Sequence, residues 1–589
     1  MEVPHYMALD NQYINVVIGI DFGTSRSGYA YAFTGDTKIF GKNDWSGAPA
    51  PCPKTLTHLL YSPDSKVEAW GFDAKRRLAQ LRKDKAADKY NFFQNFKMQL
   101  REGRERTANG PIISTNNRQK FAVIDLITDY LKQLKDLVLK ETKAATSGVL
   151  RENEIRWCLT IPAIWTDAEK QLMRYAAQKA GLIGSSEAEA ERLLLVLEPE
   201  AAAIYLQERE KLQLDPGTRF MVIDCGGGTV DITAHEVVAG KGLQEVAEGT
   251  GGAYGSMYVD RSFQEYLEKK LTAEVIERFH DEEPIDYLEM MADWERTKCD
   301  FDPEKSGDIY FPIRPKLYKK LTKDYPNVLE SLADEQDGED SYILLNRKEM
   351  NAIFAPTLNS LVQKVEEEFA KLNSRGYKLD LIYLVGGFSR SPVLRQRIQE
   401  KFGTKVNKIV MPSEPGEAIV QGAVFCGLNP EMIRTRCSRL TYGCKSRAIF
   451  NPDKDPENKK FHSKDIKGGG WYCTDRFSIF VLAGDSVGVN KTVMHRFLPT
   501  EHNQTKFKLE FYATKKQEVR YTDEEGVTKI GELTVEIQDT TGGLNREVEV
   551  TMYFGKTEIK VEAKDKTSGK KYDTELHFSS TYSPELLGV

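Results

Sequence analysis

No stretch of about 18 uninterrupted apolar residues occurs in this chain of 589 residues, so the sequence offers no membrane-spanning helix. Residues 1–15 carry Glu2, His5 and Asp10 and lack the apolar centre of a secretory signal. The eight cysteines, at 52, 158, 225, 299, 426, 437, 444 and 473, never form a Cys-x-x-Cys pair. That argues against a zinc site, and against a disulfide framework in a long chain without an export signal. For the same reason Asn490-Lys491-Thr492 and Asn503-Gln504-Thr505 carry little weight as glycosylation sites. Charge of one sign is scarce as well. The 82 Lys and Arg face 88 Asp and Glu, a net charge of −6, and nothing in that balance suggests a nucleic-acid or membrane-surface partner. Without an address in the sequence, the cytoplasm is the expected compartment, with the nucleus open.

Apolar residues make up 40% and charged residues 29%, the balance of a globular protein. At about 150 residues per domain the length suggests several domains. Strand and helix patterns alternate through about residue 430, as an α/β architecture requires. The apolar, β-branched run at 16–20 reads as a buried strand, followed by Asp21-Phe22-Gly23-Thr24-Ser25 and a second strand over 28–33. The pattern recurs at 220–223, Asp224-Cys225-Gly226-Gly227-Gly228-Thr229 and 230–235. Such an internal repeat suggests two related lobes. Between and after the copies, 155–161, 192–197 and 379–385 read as strands. Thr166 and Glu169 have capping-box spacing, and Gly181 stops the helix they open. Ser391 is positioned to cap a helix that has Pro392 at its first position and Gly403 at its end.

Beyond residue 440 the pattern changes to alternating runs such as 478–482, 507–511, 533–537, 548–552 and 557–561, separated by turn residues. These predict a β-sandwich or barrel. The expected organisation is a leader over 1–13, a two-lobed domain over 14–430 with its second lobe at about 215–385, a sandwich-like domain over 440–582 and a tail over 583–589.

The two Gly/Thr turns carry the chemistry. A phosphate chain needs backbone N–H donors at close range and a hydroxyl that reaches an oxygen. Gly23-Thr24-Ser25 and Gly227-Gly228-Thr229 supply both. Asp21 and Asp224 end the preceding strands, where a carboxylate can hold Mg²⁺ through its waters. A single copy is also an ordinary hairpin turn. Two matching copies, with Gly386-Gly387 downstream at a strand–helix turn, argue for one nucleotide held across a cleft. A Walker or dinucleotide loop joins strand to helix, whereas these turns join strand to strand.

The order Ile20-Asp21-Phe22-Gly23-Thr24, Ile223-Asp224-Cys225-Gly226-Gly227-Gly228-Thr229-Val230-Asp231 and Leu384-Val385-Gly386-Gly387-Phe388-Ser389-Arg390 resembles the actin, sugar kinase and heat-shock chaperone superfamily. Within it the chain looks most like the seventy-kilodalton heat-shock chaperones. Glu198-Pro199-Glu200-Ala201-Ala202-Ala203 is similar to their hinge motif, and Glu414-Pro415-Gly416-Glu417-Ala418 with Gly422-Ala423 to the motif closing their nucleotide domain. Asp224-Cys225 and Gly387-Phe388 resemble the divergent 12A and 12B subgroup. The resemblance is strong over residues 14–428 and weak beyond.

It implies an actin-like ATPase domain binding ATP or ADP with Mg²⁺. Gly23, Thr24 and Ser25 would touch phosphates from one lobe, and Gly226, Gly227, Gly228 and Thr229 from the other. Asp21 and Asp224 would hold the Mg²⁺ waters, Asp224 also near the attacking water. Glu198 would orient water, and Lys97 would be the catalytic lysine. Gly386, Gly387, Ser389 and Arg390 would face the adenosine, flanked by Glu295 and Lys298. Plain alternatives are a solvated Lys97, a helix-capping Glu198 and a small buried Cys225.

Three departures stand out. Lys298 is followed by Cys299-Asp300, where the chaperones commonly place an adenine-stacking Arg. The joining segment Arg434-Thr435-Arg436-Cys437-Ser438-Arg439 is basic, where theirs is apolar. The helical lid and the acidic tail that recruits co-chaperones have no counterpart, although 562–570 resembles the end of their peptide-binding sandwich. The expected function is therefore a slowly hydrolysing, chaperone-like ATPase binding unfolded or native protein clients through the β domain. The alternatives are a nucleotide-gated interaction scaffold and, with less support, a small-molecule kinase.

Overall fold

The computed structural model describes residues 8–9, 12–36, 38–102, 105–107, 110–114, 119–209, 212, 214–305, 307–336, 338–463, 470–489, 491–554 and 558–575. The tail over 583–589 and most of the leader over 1–13 lie outside them. Two open sheets define two lobes. In the first, Val16–Phe22 is central, hydrogen-bonded in parallel to Ile155–Ile161 and antiparallel to Arg26–Phe33, with Leu193–Leu197 beyond. Val16–Phe22 and Ile155–Ile161 are buried along their whole length, and Arg26–Phe33 along most of it.

The second lobe repeats this centre. Arg219–Cys225 pairs antiparallel with Val230–Val238 and parallel with Leu381–Val385. Asp21 lies opposite Gly28 and Asp224 opposite Asp231, so each aspartate closes its strand beside its own turn.

Helices Glu198–Arg209 and Ala418–Leu428 cross between the lobes. They approach so closely that a Cβ on Gly422 would stand 1.9 Å from the Ala201 carbonyl oxygen. Small residues at this crossing seat the hinge between the two sheets, and side chains from both sheets complete its core.

The second lobe's sheet does not stop with its own repeat. Ile433–Cys437, within the basic joining segment, adds to Gly242–Gly252 in parallel, and Ser486–Gly488 pairs with it in turn. The C-terminal region is a sandwich. One sheet runs Lys460–Ser463, Gly470–Val481, Thr441–Ile449, Lys506–Thr514 and Thr528–Glu536. The other runs Thr492–Phe497, Val548–Tyr553, Lys560–Asp565 and Lys571–Glu575. Their inward positions, among them Leu509, Phe511, Val535, Val550 and Val561, form one buried core. Among the described residues no helix is long and apolar enough to cross a membrane.

Candidate active site

Both turns open into one cleft of about 1070 Å³ between the lobes, lined by Gly23, Thr24 and Ser25 on one side and Gly226, Gly227, Gly228 and Thr229 on the other. The turns face each other at contact distance. A Cβ on Gly227 would lie 2.4 Å from Ser25 Oγ, and one on Gly228 would lie 2.8 Å from Thr24 Oγ1. Glycine is required here because the opposite lobe's turn occupies the side-chain space.

Beneath the turns, charged groups gather out of water. Lys54 Nζ donates to Asp21 Oδ2 at 2.5 Å, and Thr160 Oγ1 donates to Asp21 Oδ1 at 3.3 Å. Lys97 Nζ donates to Glu198 Oε1 at 2.7 Å, which sets aside the solvated-lysine alternative. Asp231 Oδ1 accepts the Ile164 N–H at 2.8 Å. Asp224 Oδ1 is buried and has no hydrogen-bond partner.

Four carboxylates thus share two amines. Burial pushes Glu198 up to about 7, against the pull of Lys97. Burial also raises Asp224 well above the ordinary carboxylate range, and the negative charges of Glu198, Asp231 and Asp21 add to the shift. An excess of buried negative charge with an orphaned oxygen suits a cation. Among the described residues no three His, Cys, Asp or Glu side chains converge as direct metal ligands. The donor set therefore fits an ion held through waters and ligand oxygens, as Mg²⁺ usually is.

The far end of the cleft is built from helix Pro284–Asp300 and the turn at Gly386. Gly386 has φ +82°, and a Cβ there would lie 2.4 Å from Asp224 Oδ1, so the turn seals directly onto the aspartate. Lys298 and Glu295 line the cleft, but Lys298 is already paired with Glu295 and donates to Asp260 Oδ1 at 2.7 Å. Arg390 lines it too, with its guanidinium on Glu414 at 2.7 Å. Ser389 does not line it. That side chain is fully buried, and its hydroxyl donates to the Gly386 carbonyl at 2.7 Å, holding the turn. Ser391 also departs from expectation. It occupies the N-cap of helix Pro392–Phe402 but makes no side-chain cap bond. Thr166, by contrast, forms the capping box with Glu169 that its spacing predicts.

Sequence reasoning missed Lys54 as the partner of Asp21. It lies 33 residues away in an irregular stretch, and no local pattern marks it. It also gave Asp231 no role, although its place opposite Asp224 follows from the hairpin register.

The basic joining segment is docked rather than loose. Arg436 reaches Glu200, two residues beyond Glu198 on the hinge helix, with bonds of 2.5 and 2.8 Å. The Cys437 N–H donates to Glu245 Oε2 at 2.8 Å. The sandwich meets the first lobe through Arg174 on Glu558 and through Tyr442 OH donating to Asp167 at 3.0 Å.

A two-lobed body with a repeated strand–turn–strand unit in each lobe, turns facing across a hinged cleft, defines the actin-like class of nucleotide-binding ATPase domains. A model of the family described as Hsp70 protein matches residues 17–435, and the chain belongs to the Hsp70 family. Heat shock 70 kDa protein 12B of Homo sapiens is 29% identical over 98% of this chain and 93% of its own length. Heat shock 70 kDa protein 12A is similar at 28% from Homo sapiens and 29% from Mus musculus, each covering 97% of this chain and 92% of the relative. The chain is an ATP-binding protein of the Hsp70 type.

Proposed function

We propose that the protein binds MgATP between its two turns, hydrolyses it slowly, and acts in the cytoplasm as a chaperone-like ATPase with protein clients on its sandwich. The observation that carries this reading is the buried, unpartnered Asp224 Oδ1 at the meeting point of both turns, beside the Lys97–Glu198 pair. Thr24, Ser25, Thr229 and the turn amides bind the phosphates. Asp21 and Asp224 would hold Mg²⁺ through its waters. When bound, the ion would neutralise charge on the phosphates. Asp224 accepts the proton of the attacking water, Glu198 orients that water, and Lys97 faces the charge that develops on the transferred group.

A second reading, a nucleotide-gated scaffold with negligible turnover, draws support from the docked segment. Arg436 on Glu200 ties the sandwich's connection to the hinge helix whether or not hydrolysis occurs. Calorimetric titration with ATP, with and without Mg²⁺, alongside phosphate release, separates the two. Mg²⁺-dependent binding with slow release fits the ATPase. Binding without release fits the scaffold. A chain that binds no ATP contradicts both.

A further inference from the structure

A second pocket, of about 100 Å³, lies where three parts of the chain meet: the start of helix Asp167–Lys179 in the first lobe, the basic joining segment and the sandwich. It shares no lining residue with the nucleotide cleft. Trp165, Leu440, Val487, Phe554 and Ile559 give it an apolar lining.

Charged side chains line it too, and their bonds can be accounted for one by one. Lys170 Nζ donates to Asp167 Oδ1 at 3.0 Å, and Tyr442 OH donates to the other oxygen of Asp167. Arg436 is held by Glu200. Glu245 accepts the Gly249 and Cys437 N–H groups at 3.1 and 2.8 Å. Arg439 is the exception. Its guanidinium makes no hydrogen bond or ion pair with any described residue, and none of its nitrogens is sealed from solvent. The charges it feels, on Glu245 and Asp231, belong to carboxylates that draw their hydrogen bonds from elsewhere. A half-buried guanidinium in that state has given up hydration and gained no bond in return. Its donors remain for a ligand.

We propose that this pocket binds a short-chain monocarboxylate, with the carboxylate on Arg439 and the alkyl body against the apolar lining. Arginine pairs with a carboxylate through two parallel N–H donors. The apolar lining disfavours a bare ion, which would lose its hydration against Phe554 and Ile559 without compensation. The volume sets the size: a cavity of ~150 Å³ takes benzene, so a body of about three or four carbons fits here. Because the first lobe, the joining segment and the sandwich all contribute walls, the ligand binds only their docked arrangement and stabilises it.

Butyrate is the probe, with butyramide as the same shape without the charge. Titrated calorimetrically into the full chain, butyrate should bind roughly tenfold or more tightly than butyramide, the worth of one charge-assisted hydrogen bond. Arg439→Gln should weaken butyrate by a similar factor and leave butyramide unchanged. No binding of butyrate by the parent, equal affinity for the two ligands, or butyrate affinity unchanged in Arg439→Gln overturns the proposal. Inorganic phosphate or chloride bound through Arg439 as tightly as butyrate overturns it as well, because the apolar lining would then contribute nothing. If Arg439→Gln folds poorly, the parent alone decides. Butyrate should slow phenylglyoxal labelling of Arg439, read by mass spectrometry of its peptide, and butyramide should not. Labelling of Arg439 undiminished at saturating butyrate overturns the proposal.

Discussion

Asp21 and Asp224 close equivalent strands in the two lobes, and each is 2% exposed. Yet Asp21 is held by Lys54 and Thr160, while Asp224 Oδ1 is left without a partner among other carboxylates. Burial being equal, the difference lies in the company each keeps. The first copy already has a counter-charge within the protein. The second is left destabilised, and a protein tolerates an unmet buried polar group where a ligand will meet it. The repeat thus supplies a symmetric frame, and a lysine distant in sequence breaks the symmetry.

The comparison can be broken first at Asp224. Asp224→Asn should reduce ATP turnover by about two to four orders of magnitude, the usual worth of a general base. Stability should be unchanged or higher, because a raised carboxylate has been removed. Phosphate release and thermal melting check the two halves.

Glu245 asks whether carboxylate burial is visible as pH dependence away from the cleft. Burial pushes it up to about 7, although the Cys437 N–H bonds to it. Between about pH 4 and pH 7 the folded chain keeps a proton that the unfolded chain has released, so stability falls as pH rises through that window. Glu245→Gln should remove a loss of about 2.5 kcal/mol between pH 5 and pH 8. Denaturant melts of parent and variant at both values check this.

At Asp21 the expectation inverts. Asp21→Asn leaves Lys54 without a counter-charge and should cost about 2 kcal/mol of stability, less than a whole buried pair because Asn still accepts a bond. A melt checks it, and Lys54→Met in the same background should recover part of the loss. The smallest effect belongs to the contact between the copies. Gly228→Ala puts a Cβ 2.5 Å from the flexible Met98 Sδ and 2.8 Å from Thr24 Oγ1. It should cost about 1 kcal/mol but weaken ATP binding further by holding the turns apart, as titration would show.

The frame was legible because it is local. Apolar runs ending in Asp, Gly/Thr turns, and Glu198-Pro199 at the start of a helix are all read within about ten residues. What sequence reading missed was pairing at a distance: Lys54 with Asp21, and Arg436 with Glu200 across 236 positions. The serines show the limit at short range. Reading placed Ser389 at the ligand and Ser391 in the cap. The turn instead spends the Ser389 hydroxyl on Gly386 and leaves the Ser391 hydroxyl unspent. The fate of each hydroxyl depends on φ and ψ over residues 386–391, and residue type does not encode that.

The asymmetry of the two aspartates is tested most directly by single-turnover hydrolysis of prebound MgATP in the parent, Asp224→Asn and Asp21→Asn, at a temperature where all three are folded. The expected result is turnover in the parent, near-complete loss in Asp224→Asn with ATP still bound, and a clearly smaller loss in Asp21→Asn. Equal losses in the two variants, or undiminished turnover in Asp224→Asn, would contradict the account.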